Sequence, residues 1–282
     1  MVDFPIVDTH VHLWDPDYLR YSWLDGIPLL NQKYMPEEYR TACGDVEVEQ
    51  FVFVQCECDG GQHLREVEWV SRLSHQDDRI RGIVANAPLE RGKEIDDDLV
   101  ELANNPLVKG VRRLLQPESV DFCLHPNFIE GVRLLPYHGL SFDICIFHPQ
   151  LANIIKFVRQ CPEVSFILDH IGKPDIKNQV FEPWEKELKL LAEMPNVFCK
   201  VSGVATEADI HHWTPDDLKP YIDHVIECFG IDRVMYGGDW PVARQATDYP
   251  RWVETLSWVT NGFSESESIK LFRENAISFY RL

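Results

Sequence analysis

Eight short apolar runs rich in β-branched residues recur along the chain, with helical spacing between them. The runs are Ile6–His12, Gln50–Cys56, Ile80–Ala85, Val108–Leu114, Leu140–Phe147, Val164–His170, Val197–Gly203 and Val234–Trp240. Continuous apolar runs of this length are what strands covered on both faces require. Gln62–His75 repeats Leu64, Val67, Val70 and Leu73 at three-residue steps. Glu182–Met194 sets Trp184, Leu188 and Leu191 on one face, and Asp217–Phe229 carries Leu218, Ile222, Val225 and Ile226. A last helix opens on Ser264-Glu265-Ser266-Glu267, a capping-box pattern, and extends to Tyr280. Strand alternating with helix implies parallel strands joined by right-handed crossovers. A closed eightfold β/α barrel takes ~250 residues, so eight units fill this chain with no strand left over. The expected fold is therefore one α/β domain over residues 1–282, a (β/α)8 TIM barrel.

Two connections are long. Leu13–Val48 follows the first strand and carries Trp14, Tyr18, Tyr21 and Trp23; Val204–Asp216 follows the seventh and carries Glu207, His211, His212 and Trp213. Both leave C-terminal strand ends, which form the active-site face of such a barrel, and long loops there cover the pocket. The first is expected to pack over the barrel mouth.

Charge narrows the partners. With 27 basic and 46 acidic residues the formal charge is −19, which argues against nucleic acid and anionic membranes. The chain opens Met1-Val2-Asp3-Phe4-Pro5 and passes straight into a strand, with no basic-then-apolar leader and no transmembrane run. The expected setting is cytoplasmic, the expected partner a small-molecule substrate, and the expected state a monomer or homodimer. The eight cysteines are scattered and read as reduced residues, not a disulfide framework.

The chemistry collects at the C-terminal strand ends. The first strand ends in His10 and His12, which alternation places on one face. The second ends Gln55-Cys56-Glu57, the fourth in Arg112 and Arg113, and the fifth runs out at His148. The sixth ends Asp169-His170, the seventh Lys200-Val201-Ser202-Gly203, and the eighth Gly237-Gly238-Asp239-Trp240. One such residue is ordinary capping; seven strands of eight doing so is a site. His10, His12, His170 and Asp239 form its centre. They suit two chemistries: ligating one divalent ion that activates water, or a metal-free route in which Asp239 takes a proton from water while the histidines polarise a carbonyl.

These motifs resemble the amidohydrolase superfamily. The resemblance lies in His10-Val11-His12, Leu168-Asp169-His170-Ile171-Gly172-Lys173-Pro174, Cys199-Lys200-Val201-Ser202-Gly203 and Tyr236-Gly237-Gly238-Asp239-Trp240-Pro241. It spans the first strand to the last. Trp14-Asp15-Pro16 and Tyr21-Ser22-Trp23-Leu24 narrow it to the sugar-lactonase branch, with fuconolactonases, rhamnonolactonases and 2-pyrone-4,6-dicarboxylate lactonase. The resemblance implies hydrolysis of a sugar lactone to the open-chain acid. It implies Asp239 as the water-activating base, and His10, His12 and His170 as metal-binding or carbonyl-polarising groups. One ion, zinc by expectation, or none is implied. The carboxylated lysine of binuclear members has no counterpart, because Lys109 lies about 10 Å of strand below the mouth.

Around this centre, Arg112 or Arg113 would pair with the product carboxylate, and Gln55, Glu57 and His148 would meet polar substrate atoms. Trp14, Trp23 and Trp240 would supply aromatic faces. Two other functions fit the same barrel. A metal-dependent decarboxylase or hydratase would use His148 as a further zinc ligand. A non-catalytic sugar-acid-binding barrel would need no base.

Overall fold

The computed structural model describes residues 2–282. All eight apolar runs form strands: β1 (Ile6–Val11), β2 (Val48–Val54), β3 (Ile80–Ala85), β4 (Val108–Val111), β5 (Ser141–Ile144), β6 (Phe166–Leu168), β7 (Val197–Val201) and β8 (Val234–Tyr236). They pair in parallel in sequence order. The ring closes through the ends of β8 and β1. Val11 bridges Trp240 in parallel, the His12 amide donates to the Trp240 carbonyl at 2.7 Å, and the Asp239 amide donates to the His10 carbonyl at 2.8 Å. The expected (β/α)8 barrel is therefore the fold.

The predicted helices are α2 (His63–Leu73), α6 (Trp184–Ala192) and α7 (Pro215–Phe229). Each lays its apolar stripe on the strands; α7 buries Leu218, Ile222 and Val225, each worth roughly 1.5–3 kcal/mol. The capping box at Ser264 is present: the Ser264 amide donates to Glu267 Oε2 at 2.8 Å, and the Glu267 amide donates back to Ser264 Oγ at 3.3 Å. The segment from Glu265 to Tyr280 is helical, with one π turn over Lys270–Glu274. Its last turn closes the barrel floor, where Phe279 and Tyr280 pack with Val7, Val52, Val54, Val84, Ile167 and Met235.

One expectation needs correction. The strands end earlier than the apolar runs suggested, so most of the chemistry-bearing residues lie in the turns just beyond them. Glu57, His170 and Asp239 have φ of +52°, +54° and +51°, a conformation that breaks a ladder and is costly without glycine. The long first connection also contains a helix, α1 (Pro36–Cys43), before β2.

The rest of that connection packs as expected. Trp14 is fully buried, and its indole donates to the carbonyls of Leu30 and Gln32 at 3.0 and 2.9 Å. Lys109 lies at the opposite end of the barrel, where its ammonium donates to the Arg281 carbonyl. All eight cysteines are free. Among the described residues no helix is long and apolar enough to cross a membrane.

Candidate active site

Asp8, in the middle of β1, organises the seam on which the site is built. Its Oδ1 accepts from the amides of His10 (2.9 Å) and Gly238 (2.7 Å), and its Oδ2 from the hydroxyls of Tyr39 (2.7 Å) and Tyr249 (2.8 Å). Gly238 is required there, because a Cβ would collide with Asp8 Oδ2 and the Tyr249 ring. This clamp brings the residue after Gly238, Asp239, against His10 and His12. Burial outweighs the four donors and pushes the Asp8 carboxyl up to about 6.

Three of the four central residues, His12, His170 and Asp239, line a cavity of about 400 Å³ at the barrel mouth. His10 is fully buried and does not line it. Asp239 Oδ1 lies 3.5 Å from His12 Nε2 and 3.8 Å from His10 Nε2. His12 Nδ1 is 2.8 Å from the Val54 carbonyl, so that nitrogen carries the hydrogen and Nε2 presents a lone pair to Asp239. His170 Nδ1 is held by Ser202 Oγ at 2.9 Å. Gly203 lets both groups approach, since a Cβ there would sit 2.6 Å from His170 Nδ1 and 2.8 Å from Asp239 Oδ2.

Burial lowers the affinity of all three imidazoles for a proton, so they are neutral lone-pair donors at neutral pH. Burial alone would raise the Asp239 carboxyl; a proton shared with the facing His170 and His12 imidazoles outweighs it and holds the carboxyl below the usual carboxylate range. The site thus presents an ionised carboxylate beside these imidazoles.

A chain of buried charges supports this centre from below. Lys200 Nζ contacts Asp143 Oδ2 at 2.5 Å and Asp169 Oδ1 at 3.0 Å, and Tyr280 donates to Asp143 at 2.8 Å. Asp169 Oδ1 lies 3.4 Å from His10 Nδ1. Burial would raise the Asp169 carboxyl, but Lys200 and His10 drive it well below its ordinary value. The final helix is thereby connected to the active-site histidines through polar contacts alone.

The remaining sequence-predicted residues divide. Arg112, Glu57, Trp14 and Trp23 line the cavity. Arg112 does not offer a free bidentate face, however: Nη2 donates to the Gln55 carbonyl at 2.6 Å, and Nη1 is shared between His10 Nε2 (3.2 Å) and Asp169 Oδ2 (3.4 Å). Arg113 turns outward to Glu90 and Glu118 and lies over the Phe122 ring. Gln55 is fully buried and braces the Glu57 turn. His148 begins the turn before α5 (Leu151–Gln160) and does not line the cavity. Trp240 packs against Tyr34 and Tyr39 behind the site. These four departures share one cause: a residue number at a strand end does not say which way the following turn rotates.

The structure adds Gln116, Cys145, Lys173 and Thr206 to the cavity wall. Lys173 lies inside the Leu168–Pro174 motif and Thr206 inside the long Val204–Asp216 connection, whereas Gln116 occupies a loop that carries no sequence signal.

A divalent metal ion fits the donor set. His10, His170 and Asp239 bring ligand atoms within 4.8 Å of one another, and His12 Nε2 faces the same carboxylate. His12 and His170 are each held at Nδ1 by an oxygen, as metal-binding histidines commonly are. Acceptors that face each other this closely need a proton donor or a cation between them.

A closed parallel barrel with a buried carboxylate and neutral imidazoles at its C-terminal mouth defines the class of water-activating hydrolytic barrels. The Amidohydrolase family model matches residues 7–282, and the chain belongs to that family. It is 29% identical to an L-fucono-1,5-lactonase of Burkholderia ambifaria over 98% of this chain and 95% of that one. It is 22% identical to an L-rhamnono-gamma-lactonase of Scheffersomyces stipitis over the full length of both. The crystal structure of an amidohydrolase from Burkholderia multivorans with bound zinc superposes with a TM-score of 0.89, at 25% identity, covering 99% of this chain and 100% of that one.

Proposed function

We propose that this protein hydrolyses an aldonolactone, of the L-fucono- or L-rhamnono-lactone kind, to the open-chain sugar acid. The observation that carries the reading is Asp239 Oδ1 facing His12 Nε2 at 3.5 Å on the wall of the cavity at the barrel mouth. The full-length similarity to sugar lactonases supports the substrate class.

Asp239 takes a proton from water as the water oxygen attacks the ring carbonyl. A carboxylate held ionised by its neighbours is ready for this at any physiological pH. The positive field of Arg112, fixed by Gln55, His10 and Asp169, offsets the charge that develops on the carbonyl oxygen. Collapse of the tetrahedral species breaks the ring C–O bond, and the proton held by Asp239 passes to the leaving alkoxide. Zinc held by His10, His12, His170 and Asp239 would supply Lewis-acid polarisation of the carbonyl. Trp14 and Trp23 cover the ring and limit water access. The position of His148 removes the extra ligand on which a decarboxylase was expected to rely.

The test is acid release from a panel of aldonolactones, measured before and after chelation. Turnover of none of them, with or without added zinc, overturns the reading.

A further inference from the structure

Two charged side chains face the cavity from opposite walls, and neither has a role in the chemistry above. Glu57 follows β2 and Lys173 follows β6. In a closed ring of eight strands in sequence order these two are four apart, on opposite sides of the mouth. Both line the cavity. Both have left-handed backbone, φ +52° and +49°, a conformation that non-glycine residues keep only where the surroundings impose it.

Each is held so that part of it stays available. Glu57 Oε1 accepts from the Gln55 amide at 2.7 Å and from the Asn86 amide at 3.3 Å, and the Glu57 backbone amide donates to Gln55 Oε1 at 2.6 Å. Oε2 accepts no hydrogen bond among the described residues. The neighbours that fix this carboxylate are two neutral amides, not a cation. Lys173 Nζ donates to Gln116 Oε1 at 2.8 Å, lies 4.0 Å from Glu207 Oε1 and sits over the Phe147 ring. That leaves ammonium hydrogens for a ligand while Glu207 balances the charge. Trp14, Trp23, Leu114, Pro117 and Val242 supply the apolar surface of the same cavity.

We infer that Glu57 and Lys173 form an opposed acceptor–donor pair that selects an uncharged lactone with hydroxyls on both sides of its ring. The inference rests on the lactonase reading and deepens it. An acceptor-only oxygen binds a sugar hydroxyl and turns away a carboxylate or sulfonate carried by the substrate. On the other wall an ammonium hydrogen meets a hydroxyl or ring oxygen.

The test compares kcat/KM for three probes: an aldono-1,5-lactone, δ-valerolactone, which is the same ring without hydroxyls, and 2-pyrone-4,6-dicarboxylate. In Glu57→Gln the bracing amides keep the side-chain oxygen at the Oε1 position, so an NH2 takes the place of Oε2 and an acceptor becomes a donor. The expected result is a fall of roughly 10- to 100-fold in the ratio of aldonolactone to valerolactone kcat/KM, the size of one hydrogen bond to a charged group. The relative rate on the dicarboxylate should rise. Lys173→Met, on the opposite wall, should lower the same ratio and gives the answer if Glu57→Gln does not fold. Parent turnover of the hydroxylated lactone, with a ratio unchanged in whichever of these variants fold, overturns this inference alone. Absence of parent turnover on every lactone overturns the lactonase reading and this inference with it.

Discussion

Asp239→Asn tests the chemistry most directly, and the structure sets its expected size. Asp239 is buried against His12 and His170, and its backbone is fixed by the bond from its amide to the His10 carbonyl. Asparagine keeps the shape, and its NH2 can donate to the His12 Nε2 lone pair that Asp239 Oδ1 now faces at 3.5 Å. The fold should therefore survive with an unchanged or slightly raised melting temperature. Catalysis should not, because the amide cannot take a proton from water. A positioned base is worth ~10²–10⁴ in rate, or about 2.7–5.5 kcal/mol of barrier. The assay is the initial rate of acid release, with KM and bound zinc measured on the same samples. Loss of kcat with KM and metal retained means that the carboxylate acts on water; loss of metal with activity means that it is at least partly a ligand. The parent should also keep its kcat/KM across pH 5–7, since the Asp239 carboxyl lies below the ordinary carboxylate range. A variant within a few-fold of the parent would refute the mechanism and move the base to Glu57 or His170.

Asp8→Ala strands two backbone amides and two tyrosine hydroxyls in the β1–β8 seam. It should cost about 3–5 kcal/mol in urea unfolding, since each unmet buried donor costs about 1–3 kcal/mol and Tyr39 and Tyr249 can bond each other; a cost under ~1 kcal/mol would refute the clamp. Lys200→Met leaves Asp143 and Asp169 without their shared cation and should destabilise by about 3–5 kcal/mol, whereas an unchanged midpoint would mean that the buried network carries no weight. Glu66 gives a pH signature. Burial pushes its carboxyl from 4.5 up to about 8, so the folded state holds a proton that the unfolded chain releases. Its contribution is therefore fully present below pH 4.5 and is lost as pH rises toward 8, by roughly 3–5 kcal/mol in all. Glu66→Gln removes that loss, so its unfolding free energy relative to the parent should increase between pH 5 and 8; a pH-independent difference would show that Glu66 is ionised in the fold.

Much of the molecule was legible without coordinates. Strand alternating with helix is favoured locally: a β-branched apolar run such as Phe51–Val54 suits a strand buried on both faces, and the Leu218, Ile222 and Val225 stripe suits a helix laid on a sheet. Eight such units allow few closures, so the barrel and its C-terminal face followed from order and periodicity, and three of the four central residues, His12, His170 and Asp239, do line the cavity there. What the turns do did not follow. Arg112 and Arg113 are adjacent, yet one lines the cavity and the other pairs with Glu90 and Glu118 outside it. Lys109 could be placed far from the mouth by counting residues along a strand. Lys173 could not be placed opposite Glu57, because that depends on two left-handed turns and on closure of the ring. Periodicity acts between residues a few positions apart and is written in the chain itself. The cavity, the protonation of its groups and the partners of each side chain come from contacts such as Asp8 with Gly238, or Tyr280 with Asp143. Those residues become neighbours only when the barrel closes, and only the tertiary structure decides what each of them meets there.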